Sequence, residues 1–172
     1  NRYIQLLKLM KQKHFLFILS FLGIWFYNCL PETLFKVNYS TILLAKNGEL
    51  LSAKIAKDGQ WRFPELTEVS EKFEKAITTF EDKYFRYHPG VNPVSLSSAI
   101  YNNIKKGKVF RGGSTITMQL MRMARGNKSR TYYQKFIEIV WALRAEIKYS
   151  KDELLSMYCS HAPFGGNVVG VD

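Results

Sequence analysis

Residues 81–90 read Glu-Asp-Lys-Tyr-Phe-Arg-Tyr-His-Pro-Gly, and the pattern on either side of them decides how the chain folds. Upstream, Phe73, Ala76, Ile77, Phe80 and Tyr84 recur at the spacing of one helix face. A helix is expected from about Thr67, ended by His88-Pro89-Gly90. On it Glu81 sits about 80° from the centre of the apolar stripe and borders the core, whereas Asp82 is expected to point away. A carboxylate at the edge of a core suits proton transfer near neutral pH. The competing reading, favoured by this segment taken alone, is a boundary glutamate paired with Lys83 or Arg86.

Downstream the helical pattern continues. Pro93 opens a helix that runs to Lys106 with Gly107 as its stop. Arg111-Gly112-Gly113-Ser114-Thr115-Ile116-Thr117-Met118-Gln119 then places two glycines and two hydroxyls at the start of a third helix, from Gly113-Ser114 to about Arg125. Such a start is an anion site in waiting, and Gln119 and Arg122 are spaced to line the same opening. Taken alone, the tetrapeptide is read more readily as a plain Gly–Ser helix cap. Tyr132–Tyr149 is the longest helix of this region. One of its faces carries Phe136, Ile139, Val140, Leu143 and Ile147, the other Gln134, Glu138, Trp141, Ala142 and Ala145. A helix apolar on both sides is buried, so Glu138 needs a partner or a task, and Lys135 three residues earlier is the local partner. Ser150-Lys151-Asp152-Glu153 is a capping box opening a fifth helix, and Pro163–Asn167 is expected as a loop.

Upstream of the helices, Tyr39–Ala45 and Glu49–Ala56 flank Asn47-Gly48, a two-residue hairpin signal. Two strands alone are marginal, so the hairpin is expected to lean on something else. Before it, Phe15–Leu30 is sixteen residues without a charge, slightly short of a membrane span, which wants about 20. Trp25, Phe26 and Tyr27 supply interfacial aromatics, and Arg2, Lys8, Lys11 and Lys13 precede the run with no acid among them. That asymmetry keeps the amino terminus in the cytoplasm and exports the chain beyond Leu30. A retained signal anchor is expected ahead of a buried core helix or a cleaved signal peptide, for which Asn28-Cys29-Leu30-Pro31-Glu32 is a poor cleavage site. The organisation is then a basic tail at 1–14, an anchor at 15–30, a linker with the hairpin at 31–60 and a helical domain at 61–172. The start at Asn and the end at Gly-Val-Asp, without a helix stop, read as a piece of a longer chain.

Composition narrows the partners. Of the 172 residues, 47% are hydrophobic and 23% charged, which excludes wholesale disorder. Lys and Arg number 25 against 14 acids, a net +11 that favours an anionic partner. Without the first fourteen residues there are still 21 bases against 14 acids, so the excess is more than a topology signal. Behind an export anchor such a surface meets anionic headgroups and lipid-linked diphosphates; no stacking motif for nucleic acid is present. Cys29 and Cys159 lie too far apart in sequence to form a disulfide framework or a metal-ligand cluster.

In order and spacing, EDKYFRYHPG (81–90), GGSTITMQ (112–119), QKFIE (134–138), KDELLSMY (151–158) and HAPFGGN (161–167) closely resemble the peptidoglycan glycosyltransferase domain of class A penicillin-binding proteins. The Met before Gln119 and the HAPFGGN tail look most like the penicillin-binding protein 1C subgroup. The resemblance covers roughly Trp61 to Asp172. It implies a mainly α, lysozyme-like domain, truncated here, behind a transmembrane signal-anchor helix and a short β-hairpin. It also implies a single-pass protein of the cell (inner) membrane, with its catalytic domain extracytoplasmic, or periplasmic. The implied reaction polymerises lipid II into β-1,4-linked glycan strands with inversion and release of undecaprenyl diphosphate. The implied partners are lipid II, the growing strand, the membrane and proteins of a cell-wall synthesis complex.

Position by position, the resemblance makes Glu81 the catalytic base toward the acceptor's 4-hydroxyl and Glu138 the second catalytic glutamate. Asp82, Ser114, Gln119, Arg122 and Lys135 become the substrate-binding residues, Lys135 beside the donor's diphosphate. Positive charge and helix-start N–H groups would stabilise that leaving group. No cofactor is required by the sequence, and a divalent cation, Mg or Mn, on the diphosphate is compatible with it. Some positions depart from the pattern. Gln134 stands where an arginine is usual, costing a charge near the diphosphate, and most relatives carry Lys at position 122. Ser160 replaces the usual Asn and is expected to weaken the cap closing the fifth helix. The family's domain continues past Asp172, and no Ser-x-x-Lys of a transpeptidase occurs in the chain. Two alternatives stand beside the transferase: a lytic peptidoglycan glycosidase of the same fold, and a non-catalytic lipid II-binding or scaffold domain.

Overall fold

The computed structural model describes residues 2–107, 112–129 and 131–171, so Arg111 of the glycine motif lies outside the described residues. The chain forms two compact units, Asn1–Glu32 and Thr33–Asp172. The first is a single helix, α1 (Arg2–Asn28), in which the lysines and most of the uncharged run are continuous. Phe15, Phe17, Ile18, Phe21 and Ile24 are exposed on it. Among the described residues no helix is long and apolar enough to cross a membrane. Sixteen uncharged residues rising 1.5 Å each cover about 24 Å, against about 30 Å of hydrocarbon. The full span expected of this segment is therefore not met.

The second unit opens with an antiparallel hairpin, β1 (Thr41–Leu44) and β2 (Leu50–Lys54). Its turn is not the two-residue type that Asn47-Gly48 suggests. Gly48 takes the left-handed region at φ +86° while Asn47 does not, and the register slips by one between Leu43 and Leu44. The result is a four-residue turn with a bulge, closed by the Gly48 N–H on the Ala45 carbonyl at 2.9 Å. Both strands are exposed along their length, so the expected support does not come from a packed face. It comes from the flanking backbone, where the Ser40 N–H donates to the Arg62 carbonyl at 2.8 Å and the Arg62 N–H to Ser40 Oγ at 3.1 Å.

A second small sheet pairs β3 (Trp61–Arg62) in parallel with β5 (Val168–Val169), which pairs antiparallel with β4 (Pro163–Gly165). The segment 163–167, expected as a loop, thus contributes a strand, paired with β5 just after it in a sheet that Trp61–Arg62 completes from far upstream. Around this sheet the linker is stitched to the end of the chain. Phe35 stacks on His161 at 3.6 Å between ring centroids, and the Leu66 N–H donates to Ser160 Oγ at 2.9 Å.

The helices are α2 (Glu71–Glu81), α3 (Pro93–Lys106), α4 (Ile116–Ala124), α5 (Tyr132–Lys148) and α6 (Lys151–His161), with a one-turn 3-10 helix at Phe85–Tyr87. Boundaries set by local chemistry match the sequence. Asn92 caps α3, Gly107 ends it at φ +61°, and both halves of the Ser150/Glu153 capping box form. The core is centred on α4, whose Ile116, Met118, Leu120 and Met121 are fully buried between α5 and α6. Ala142 and Ala145 let α5 approach closely, and Leu154, Leu155 and Cys159 close the other side. Burial pushes the Cys159 thiol up to about 12, leaving it an inert packing group.

Two helix faces differ from expectation. On α5 the buried side is that of Glu138, Ala142 and Ala145, while Phe136 and Ile147 of the more apolar face are exposed. On α2 no residue is buried, and Phe80 is 84% exposed. Apolar periodicity gave the helix but not its core-facing side, because small residues let backbones pack more closely than large ones do.

Gly90, held at φ +84°, sits against α5 so tightly that a Cβ would lie 2.8 Å from both the Ala142 carbonyl oxygen and Glu146 Cγ. Gly90→Ala is expected to destabilise the second unit by about 2–4 kcal/mol, read as a fall in urea midpoint. An unchanged midpoint would show that this contact is dispensable.

Candidate active site

The end of α2 builds one wall of the site. The helix stops at Glu81, and Asp82 leaves helical geometry at φ −159°, ψ 76°. A helix wheel therefore does not apply to Asp82, and the expectation that it points away from the core is wrong. Asp82 is buried; its Oδ2 accepts the Ile116 N–H of α4 at 3.1 Å, and both oxygens accept from His88 Nε2 at 3.0 Å. The carboxylate thus caps the positive end of α4. These bonds anchor the segment after α2 to α4, and Asp82 also lines the cleft beside Glu81. Asp82→Asn is expected to cost about 2–4 kcal/mol, because it removes the charge that caps α4 and leaves one accepting oxygen where His88 and the Ile116 N–H use two. Thermal unfolding checks this, and a cost below about 0.5 kcal/mol, the range of a neutral surface change, would refute the anchoring role.

Glu81 remains half-buried and accepts from Gln119 Nε2 at 2.8 Å through Oε2. The ion pair that competed for it does not form: Arg86 binds Glu74 and Asp152, while Lys83 lies over the Tyr84 ring. Gln119 is held in turn by α6, where the Tyr158 hydroxyl donates to its Oε1 at 3.4 Å. Burial, chiefly, with the negative charge of Glu81 adding to it, pushes the Tyr158 phenol up to about 12, against the opposing pull of Arg122. The phenol therefore keeps its proton. Arg122 is half-buried on the same side of α4 and makes no ion pair among the described residues.

The glycine motif forms the next wall. A Cβ on Gly113 would come within 3.0 Å of the α3 backbone at Leu96, so glycine is what allows the loop to lie on α3. The helix start comes later than expected, with Thr115 as its cap. The Thr115 hydroxyl accepts the Met118 N–H at 3.1 Å and donates to the Gly90 carbonyl at 2.6 Å. With Asp82 on Ile116, two of the helix-start N–H groups, those of Ile116 and Met118, are occupied within the protein. The charge there comes from Lys135, whose Nζ donates to Ser114 Oγ at 2.6 Å and pairs with the buried Glu138 at 3.3 Å.

Glu81, Asp82, Asn92, Ser95 and Ser114 line one cleft of about 270 Å³, together with Gly112 and Gly113. Five sequence candidates are thus linked: Glu81 with Gln119, and Ser114 with Lys135 and Glu138. Beneath them lies a polar layer that the sequence did not single out, in which Thr117 and Lys151 both bond Glu146 and Lys151 also reaches the His88 carbonyl. Tyr158 was missed too. Its signal was a tyrosine on the same α6 face as Leu154 and Leu155, where a buried hydroxyl must find a partner. Of the departures, Gln134 has a buried Oε1 without a partner, and Ser160 lies within α6. The Ser160 hydroxyl donates to the Ser156 carbonyl at 2.8 Å and accepts the Leu66 N–H at 2.9 Å, tying α6 to the segment ahead of α2.

The sequence model of a family described as Transglycosylase matches residues 47–172. Penicillin-binding protein 1C of Escherichia coli (strain K12) is 37% identical over 155 residues, covering 89% of this chain and 20% of that protein. Penicillin-binding protein 1F of Bacillus subtilis (strain 168) is 30% identical over 160 residues, covering 91% and 22%. The biosynthetic peptidoglycan transglycosylase of Alcanivorax borkumensis is 34% identical over 112 residues, covering 65% and 45%. The chain spans about a fifth of the length of the penicillin-binding proteins it matches.

Proposed function

The chain belongs to the transglycosylase family, and from that premise we propose that it is a peptidoglycan glycosyltransferase that polymerises lipid II in cell-wall synthesis. One observation carries the reading: a single cleft is lined by the carboxylate of Glu81 and by Ser114, whose hydroxyl holds the Lys135 ammonium. Glycosyl transfer from a lipid diphosphate needs both kinds of group. A base must take the proton of the attacking 4-hydroxyl, and a cation must meet the charge that grows on the departing diphosphate.

Glu81 takes the proton, with Oε2 held by Gln119 and Oε1 making no hydrogen bond among the described residues. Lys135 faces the diphosphate, oriented by Ser114 and Glu138, and Arg122 adds positive charge. Attack opposite the leaving group inverts the anomeric carbon and gives a β-1,4 bond. Among the described residues no three His, Cys, Asp or Glu side chains gather as a metal site. A divalent cation would therefore be held chiefly by the diphosphate itself. The mainly helical second unit is in keeping with a lysozyme-like fold.

The substrate is a membrane lipid, and α1 supports attachment of the protein to the cell membrane with its amino terminus cytoplasmic. Its lysines precede an exposed apolar run, and a bilayer meets a run of about 24 Å by local thinning and by flanking aromatic and lysine side chains.

The test is the donor requirement. Purified protein in detergent is expected to release undecaprenyl diphosphate from lipid II and to leave preformed glycan strands uncut. Cleavage of strands without a lipid donor would replace the reading with a lytic glycosidase. Saturable lipid II binding with no release would replace it with a scaffold.

A further inference from the structure

Tyr158 takes no part in the proton transfer or in the charge stabilisation, yet it touches the group that touches the base. Its ring is 5% exposed, and its hydroxyl points at Gln119 Oε1. Gln119 Nε2 then points at Glu81 Oε2. Three helices meet in this line: Tyr158 from α6, Gln119 from α4 and Glu81 at the end of α2. All donors run one way, from O–H to carbonyl and from N–H to carboxylate, so each bond polarises the next.

The two ends of a glutamine side chain have nearly the same shape, and only their partners decide which faces a neighbour. A carbonyl turned toward Glu81 would set oxygen against oxygen. We propose that Tyr158 is a positioning residue for glycosyl transfer: its hydroxyl secures the Gln119 amide so that the NH₂ end holds Glu81 Oε2, leaving Oε1 to receive the acceptor's proton. This rests on the reading of Glu81 as the base. At 3.4 Å the Tyr158 contact is long for a hydroxyl, close enough to orient a dipole and too weak to dominate stability. The high affinity of the phenol for its proton keeps the donor in place across the working pH range.

Tyr158→Phe keeps the buried ring and removes only the hydroxyl. Lipid II polymerisation is expected to lose about 3- to 10-fold in kcat, with KM within about twofold. In a Gln119→Ala background the same substitution is expected to cost nothing further, since the amide it acts through is gone. Without substrate, the NMR signals of the Gln119 side-chain NH₂ are expected to move in Tyr158→Phe and in Glu81→Gln alike. Unchanged signals in Tyr158→Phe, or a kcat loss that simply adds to that of Gln119→Ala, would overturn the proposal. A wild-type rate in Glu81→Gln would overturn the underlying reading instead. The two failures are separable, because the substrate-free signals report on the contact whatever the reaction.

Discussion

Glu81→Gln is expected to lower lipid II polymerisation by about 10²- to 10⁴-fold, the range a positioned general base supplies. The substitution keeps shape and volume, and Gln119 can still donate to the new carbonyl oxygen. The fold should survive, with a melting temperature within about 2 °C of the parent. What disappears is the second oxygen's ability to accept a proton. Because the acceptor sugar still fits, the loss should fall on kcat with KM nearly unchanged. Continuous measurement of lipid II consumption against concentration separates the two parameters. A loss confined to KM would mean that Glu81 binds substrate without moving its proton.

Lys135→Ala is the second large effect, expected at about 10²- to 10³-fold in kcat/KM, the cost of removing one stabiliser of developing charge. It acts in two ways. On the proposed reading the diphosphate loses the ammonium bonded to Ser114, and the buried Glu138 loses an ion partner. Part of the loss is therefore structural, and about 1–2 kcal/mol of stability should go with it, since Lys135 is itself about one-third exposed. Lys135→Arg keeps the charge and should recover part of the rate. Glu138→Gln should be milder than either, because it relieves a buried charge while keeping a hydrogen-bond acceptor for Lys135. Steady-state kinetics with urea unfolding on the same variants separates chemistry from folding. A Lys135→Ala rate within about threefold of the parent would exclude the ammonium from the reaction, since even one lost hydrogen bond to a charged group exceeds that.

How much the sequence disclosed depends on how local each determinant is. The caps of α3 and α6 were legible because Asn92, Pro93, Gly107, Ser150 and Glu153 act on backbone groups within four residues. The link from Lys135 to Glu138 was legible for the same reason, as an i, i+3 pair. Asp82 was misread because its direction depends on where α2 ends, and its partner there is an Ile116 N–H thirty-four residues on. The strand at 163–165 was misread because its sheet is completed by Trp61–Arg62, which no local pattern announces. Phe80 and Phe136 were assigned to the core on apolarity alone, yet both are exposed, and alanines took the close contacts. The site shows the same division. Glu81, Ser114 and Gln119 could be nominated from residue type and spacing, and from the resemblance, while the line from Tyr158 through Gln119 to Glu81 joins three helices that meet only in the folded chain.

On the proposed reading, Glu81 is the group that drives the polymerisation of lipid II. The measurement that tests it most directly is a gel of glycan products from labelled lipid II, with wild-type protein beside Glu81→Gln and lipid II binding measured on both. Ladders are expected from the wild type, none from Glu81→Gln, and equal binding by the two. Ladders of equal intensity in both lanes would contradict it.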